Sequence, residues 1–315
     1  MARIVVRAVV VTAYEPAAGP APGEFRYWRE RMGFDQTLPF AYGLGPLSLG
    51  PDGVLGIVTG VGAVRAAAAI MALGLDTRFD LTQACFLISG VCGIDPARGS
   101  LGSVVLPQYV VDGDFAHEID AREIPPEWPD GFIPIGKSKP YELPRQDRFE
   151  GEDGLVFRLN ARLVQSAFDA AQNTLLQDSD KMAARRIQFA PASAQAPPAV
   201  LRGDELSSTT FWHGKLLNSR AQAWVQYQTE GRGAYTITAM EDSGTLRSLQ
   251  LLEKAGRVDF NRVLIVRAAS NFDQQRVGLS AAESLAETKI VSYSAYLPAL
   301  ENAWRVGRTV LNAMR

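Results

Sequence analysis

The residues best suited to chemistry fall where strands are expected to end. Gly60-Val61-Gly62 opens a helix directly after a strand, and backbone N–H groups in that position can meet an anion or a polarised water. It is not a dinucleotide fingerprint, because the third glycine of that pattern would fall at Arg65 and no acidic ribose-binding residue follows at the usual distance. Arg65 is expected to face solvent along the helix. Carboxylates stand at other strand ends: Glu15 after the first strand, Asp112 and Asp114 at the end of a long one, and Asp273 close behind the last, where capping a loop is the ordinary alternative. Glu241 opens a helix, where a carboxylate complements the helix dipole even without another task. Asn271 is a neutral amide, which hydrogen-bonds but delivers no proton.

The aromatic pair Phe211-Trp212 is large enough either to pack in a core or to stack on a flat ligand. His213 follows it, and His117 is the only other histidine. Neither has Cys, Asp or Glu partners at metal-ligand spacing, so no metal is expected. Cys85 and Cys92 lie on one strand and its turn, an awkward arrangement for a bridge, and both are expected to be reduced, buried packing residues.

These residues need a frame that alternates strand and helix. The clearest strands are expected at Ile4–Thr12, Val54–Thr59, Ala84–Ser89, Ser103–Val111, Ala234–Thr238 and Arg262–Ala268. Ala63–Leu73 is built from strong helix formers. A second helix is expected near Asn160–Leu176, where Leu163, Ala167, Ala171 and Leu175 recur on one face. A third begins at Glu241 and a fourth covers Ala299–Met314. The alternation argues for a doubly wound or mixed-sheet α/β fold in a single domain, 1–315. Residues at about 123–203 read as an elaboration on it, proline-rich at first and ending in a Pro/Ala/Ser loop at Ala190–Val200.

Composition removes several function classes. With 315 residues at 47% hydrophobic, the chain can bury a large core. Its 32 Lys+Arg nearly balance 34 Asp+Glu, without runs of like charge, so nucleic acid and anionic membrane surfaces are poor partners. No apolar run approaches the roughly 20 residues of a spanning helix, so no transmembrane segment is expected and the chain reads as soluble. The start, Met1-Ala2-Arg3, runs straight into a β-like segment without the layout of a signal peptide. The compartment stays open, periplasmic or exported for a mature form and otherwise cytoplasmic.

Four segments occur in the order used by nucleoside phosphorylases and nucleosidases: Thr59-Gly60-Val61-Gly62; Ser89-Gly90-Val91-Cys92-Gly93 with Val111-Asp112-Gly113-Asp114 after it; Ala239-Met240-Glu241; and Val266-Arg267-Ala268-Ala269-Ser270-Asn271. Pro22-Gly23-Glu24-Phe25 followed by Trp28, and the run His117 to Glu123, narrow the likeness. Over nearly its whole length the chain resembles the purine nucleoside permease family. That resemblance implies a nucleoside-phosphorylase-like fold, a three-layer αβα arrangement around a central mixed β-sheet.

It also implies roles. Met240 and Glu241 resemble the pair that holds the ribose, and Asn271 stands where many relatives carry an aspartate that protonates the purine. Asp273 is a possible substitute acid. Phe211 and Trp212 resemble the base-binding aromatic segment, with His213 beside them as a sugar contact. An oxocarbenium-like sugar also needs a nucleophile opposite the base. Gly60, Val61 and Gly62, with Ser89, Gly90 and Val91, line the expected nucleophile side. Bacterial purine phosphorylases offer arginine and serine where Ile88 and Val91 align, so two phosphate donors are missing here. Glu15 is the candidate base for a water. Hydrolysis of purine nucleosides to base and ribose is therefore favoured, without a cofactor. The alternatives are a phosphorylase using phosphate as co-substrate and a non-catalytic nucleoside binder serving uptake. A homo-oligomer is possible.

Overall fold

The computed structural model describes residues 3–16, 22–145, 154–287 and 295–314; Met1 and Ala2 lie outside them, as does part of the proline-rich elaboration. The core of the chain is a ten-stranded mixed sheet. Its middle strand, Cys85–Ile94, pairs in parallel with Ala8–Thr12 on one side and Val263–Phe272 on the other. Ala8–Thr12 in turn pairs in parallel with Val54–Val58. These strands are largely apolar and buried on both faces, as parallel strands covered by helices must be.

Beyond the middle the sheet curls. Val263–Phe272 also pairs antiparallel with Val104–Asp112, which runs parallel to Val200–Ser207, which runs parallel to Tyr235–Ala239, which returns antiparallel to Ile94 and Gly93. Five strands thus close a ring, and one end of that ring frames the site described below. Helices cover the faces. Tyr296–Met314 packs on the two central strands, Ala161–Ala171 packs on it, and Ala63–Leu75 pairs with Asp242–Lys254.

The expected elements differ from the observed ones in four instructive places. Ile4–Thr12 is two strands, because Ile4 and Val5 turn aside to pair with Phe79 and Asp80 while Ala8 onward joins the large sheet. The strand expected to end at Ser89, with Cys92 on the turn after it, runs on to Ile94: its neighbour Val263–Phe272 keeps pairing alongside it, Ser89 against Val266 and Gly90 against Arg267. The helix after Asn160 ends at Ala171; Asn160 caps its start through Arg162 and Leu163, and Leu175 beyond its end is exposed. Within 123–203, Val156–Arg158 and Val200–Ser207 are strands of the main sheet, and the Pro/Ala/Ser stretch holds a short helix, Ala192–Gln195.

Candidate functional site

A cavity of about 240 Å³ opens where the central strands end, the ordinary place for a ligand in such a sheet. Met240, Glu241, Asn271, Val61 and Val91 line it, as do Phe211 and Trp212. Tyr14, Glu24, Thr238 and Tyr296 complete much of the wall.

Glu241 is held by the meeting of two helix starts. The helices Ala63–Leu75 and Asp242–Lys254 approach so closely that a Cβ on Gly244 would lie 2.1 Å from the Ala63 carbonyl oxygen. Gly60 and Gly62 turn the chain with φ of 83° and 95°, which glycine alone adopts without cost. The Gly62 N–H then donates to Glu241 Oε1 at 3.2 Å, and the Ala63 N–H donates to Thr209 Oγ1 at 3.2 Å. The donors that open this helix are thus taken by the protein's own side chains.

Glu241 Oε2 accepts from Arg267 Nη2 at 3.1 Å. Arg267 lies in the apolar strand Val263–Phe272 and is 2% exposed; a charge so buried must be paired. It donates to both carboxylate oxygens of Asp242 and, at 3.3 Å, to the Val91 carbonyl. Glu24 Oε1 stands 3.9 Å from it. Glu24 accepts three backbone N–H groups, from Ala13 and Val91 at 2.8 Å and from Tyr14 at 2.9 Å. That leaves room for about one further donor among the four lone-pair positions of a carboxylate. Gly90 makes the approach possible, since a Cβ there would fall 2.4 Å from Glu24 Oε1 and 2.5 Å from Arg267 Nη1. Burial pushes the Glu241 carboxyl up to about 7, with Glu24 and Asp242 adding to the rise and Arg267 opposing it. Behind this group Glu205 is fully buried, and neither of its carboxyl oxygens has a hydrogen-bond partner among the described residues. Burial, reinforced by Asp242, lifts it well above the usual carboxylate range.

The Asn271 end of the cavity is different. A bulge sets Ala269 opposite Cys92 and Asn271 opposite Gly93, skipping Ser270, and such a bulge re-aims the side chain that follows it. Asn271 Oδ1 accepts from Ser270 Oγ at 3.0 Å, and its Nδ2 donates to the Phe272 carbonyl at 3.1 Å. Asp273 is buried and absent from the cavity wall; it accepts from the Tyr235 hydroxyl and the Asn218 amide. Burial pushes its carboxyl up to about 7, and Asp95 adds to this. Phe211 is half exposed over the cavity and Trp212 is buried in its wall.

Several expected site residues lie elsewhere. Glu15 does not line the cavity; it accepts the Phe25 N–H at 3.3 Å, ahead of the helix Arg26–Arg31, and meets Arg29 at 3.4 Å. His213 is on the far side of Asn271, in a second cavity, with Nε2 3.0 Å from Ser284 Oγ. Asp112 caps its own turn, and Asp114 holds Ser208 Oγ and the Thr209 N–H, steadying the loop that carries Phe211. Gly60, Gly62, Ser89 and Gly90 do not line the cavity, and Arg65 is exposed, as expected. Cys85 and Cys92 are free and buried, and Cys92 lines the cavity.

Sequence reasoning gave no role to Glu24, Arg267 or Asp242. One signal was present: an arginine inside an otherwise apolar strand demands buried carboxylates, and Glu241-Asp242 is the nearest acidic pair upstream. Glu24 carried no such mark, since only folding brings its loop against Val91 and Arg267.

The chain is similar to known proteins along almost all of its length. The purine nucleoside permease family matches residues 5–314. A probable purine nucleoside permease of Schizosaccharomyces pombe is 31% identical over 234 residues, 73% of this chain and 67% of that protein. A purine nucleoside permease of Candida albicans is 32% identical over 231 residues, covering 72% of this chain and 56% of its own length. Among solved structures, a 5′-methylthioadenosine/S-adenosylhomocysteine nucleosidase of Colwellia psychrerythraea, in complex with adenine, superposes with a TM-score of 0.57 at 16% identity, covering 98% of this chain and 96% of that one. A futalosine hydrolase of Helicobacter pylori gives 0.55 at 14% identity, covering 98% and 97%. These likenesses establish the nucleosidase-type fold. No helix among the described residues is long and apolar enough to cross a membrane. By the extent of the family match and the identity to its curated relatives, the chain belongs to the purine nucleoside permease family.

Proposed function

We propose that the cavity binds a purine nucleoside and cleaves its N-glycosidic bond with water. In this reading the ribose hydroxyls donate to Glu241 beside Met240, and the base lies toward Asn271, Phe211 and Trp212. The carrying observation is that Arg267 and the Gly62 and Ala63 N–H groups, the donors that meet Glu241 and its helix, are already committed. Arg267 is spent on Asp242, Glu241 and the Val91 carbonyl, and the Gly62 and Ala63 N–H groups on Glu241 and Thr209. A phosphate dianion entering here would face Glu24 and Glu241 without an uncommitted donor from these groups, a repulsive arrangement in a poorly solvated cavity. A water meets no such repulsion.

Glu24 then takes the task the sequence suggested for Glu15. Water attacks the anomeric carbon as the carbon–nitrogen bond breaks, its proton passes to Glu24, and the bond electrons leave with the purine. Carboxylates around the sugar favour the positive charge that develops there. Asn271 steadies the base by hydrogen bonding and supplies no proton, so the departing purine takes its proton from solvent.

The same neutral Asn271 supports a second reading, a binder that holds purine nucleosides intact, and the permease names of the relatives point in that direction. Incubating the protein with adenosine, guanosine and inosine, with and without phosphate, separates the readings. Free base and ribose without phosphate support hydrolysis. Ribose 1-phosphate formed only with phosphate overturns it, and intact nucleosides that bind by calorimetry favour the binder.

A further inference from the structure

The second cavity, about 350 Å³, shares Ser270 and Asn271 with the first. The first alone falls below the usual range of ligand pockets, about 300–1,000 Å³, and the second lies inside it. Their characters differ. The first is walled by Phe211, Trp212, Met240 and Val61, whereas the second presents Lys181, Arg185, Gln188, His213, Gln274 and Glu287.

Among the described residues of the second cavity the charges do not balance. Arg185 pairs with Glu287 at 3.1 Å and also donates to Gln188, and Arg276 approaches Glu287 at 3.6 Å from outside the lining. One carboxylate is therefore shared by two guanidinium groups, and Lys181 adds a third positive charge. His213 contributes none: burial and Arg185 hold its ring below its usual range, hence neutral, against Ser284. Phe189 and Phe272, with ring centroids 4.1 Å apart, form an apolar floor.

We propose that this second cavity is a subsite for a carboxylate-bearing chain attached to the base, so that the protein accepts acidic, base-substituted purine nucleosides as well as the parent compounds. The inference rests on the orientation given above, with the base at Asn271, because a ligand that passes Asn271 and Ser270 leaves the first cavity from its base end. The chain of such a ligand lies over Phe189 and Phe272, and its carboxylate meets Lys181 and Arg185 in place of solvent.

Calorimetry with three ligands tests this: adenosine, adenosine with a neutral alkyl chain on its exocyclic nitrogen, and the same compound ending in a carboxylate. The carboxylate form should bind about tenfold tighter than the alkyl form, the scale of a charge-assisted contact. Lys181→Ala with Arg185→Ala should abolish that difference while leaving adenosine affinity within about twofold. Both side chains reach solvent, so the variant is expected to fold. Equal or weaker binding of the carboxylate form overturns the subsite and leaves the nucleoside cavity standing, as does an advantage that survives in the double variant. Failure of all three ligands to bind the wild type overturns both.

Discussion

The two ends of the nucleoside cavity are built on opposite principles. At the sugar end one buried arginine faces Glu24, Glu241 and Asp242, all nearly or fully removed from solvent. At the base end the wall is neutral, with Asn271, Ser270 and two aromatic rings, and the nearby acid Asp273 is turned away into bonds with Tyr235 and Asn218. The contrast separates two tasks. The charged end can hold a sugar and stabilise positive charge on it, while the neutral end can recognise a base but cannot help it leave. In the function proposed above, such a site binds its nucleoside well and cleaves it slowly.

The charged end is the easier to break. Arg267→Met leaves two or three carboxylates buried without their cation, and removing one partner of a buried pair costs about 3–5 kcal/mol. Urea unfolding should show that loss, whereas the same class of change at the neutral end, Asn271→Ala, should cost far less. The next effects are on rate. Glu24→Gln should slow base release about a hundredfold, since it removes the base that accepts the water's proton. Asn271→Asp should raise release by a similar factor by giving the neutral end a proton donor. If the aspartate variant is no faster, leaving-group assistance is not what limits this site.

A separate effect appears in stability against pH. Glu241 and Asp273 are both raised to about 7 in the folded protein, above the roughly 4 of an unfolded carboxyl. Through that interval the folded chain keeps protons the unfolded chain has released, so stability falls as pH rises from about 4 to about 7 and then levels off. Asp273→Asn should flatten part of this slope, and Glu241→Gln another part. The smallest expected change is at Glu15, part exposed and tied to Phe25 and Arg29 among the described residues. Glu15→Gln should alter stability by less than about 0.5 kcal/mol and leave cleavage untouched.

Much of this was legible before folding. The alternation of apolar runs with helical stretches marked most of the strands, and the glycine turn before Ala63 and the helix at Glu241 lie where expected. The strand that runs on from Ser89 to Gly93 shows the limit: Gly90 there serves close approach by Glu24 and Arg267, which no local pattern reveals. The same holds for the bulge at Ser270, since it exists only in the pairing with Cys92 and Gly93. Glu15 and Glu24 flank the same loop, and local sequence favoured the one nearer the strand. What decides between them is the Val91 N–H, 67 positions from Glu24 in the chain.

The most direct test of the charged sugar end is cleavage of a purine nucleoside in oxygen-labelled water with phosphate also present. Label in the released ribose, no ribose 1-phosphate, and loss of both products in Glu241→Gln are the expected results. Ribose 1-phosphate as the product would contradict them, because it would mean that an end crowded with carboxylates admits a phosphate dianion.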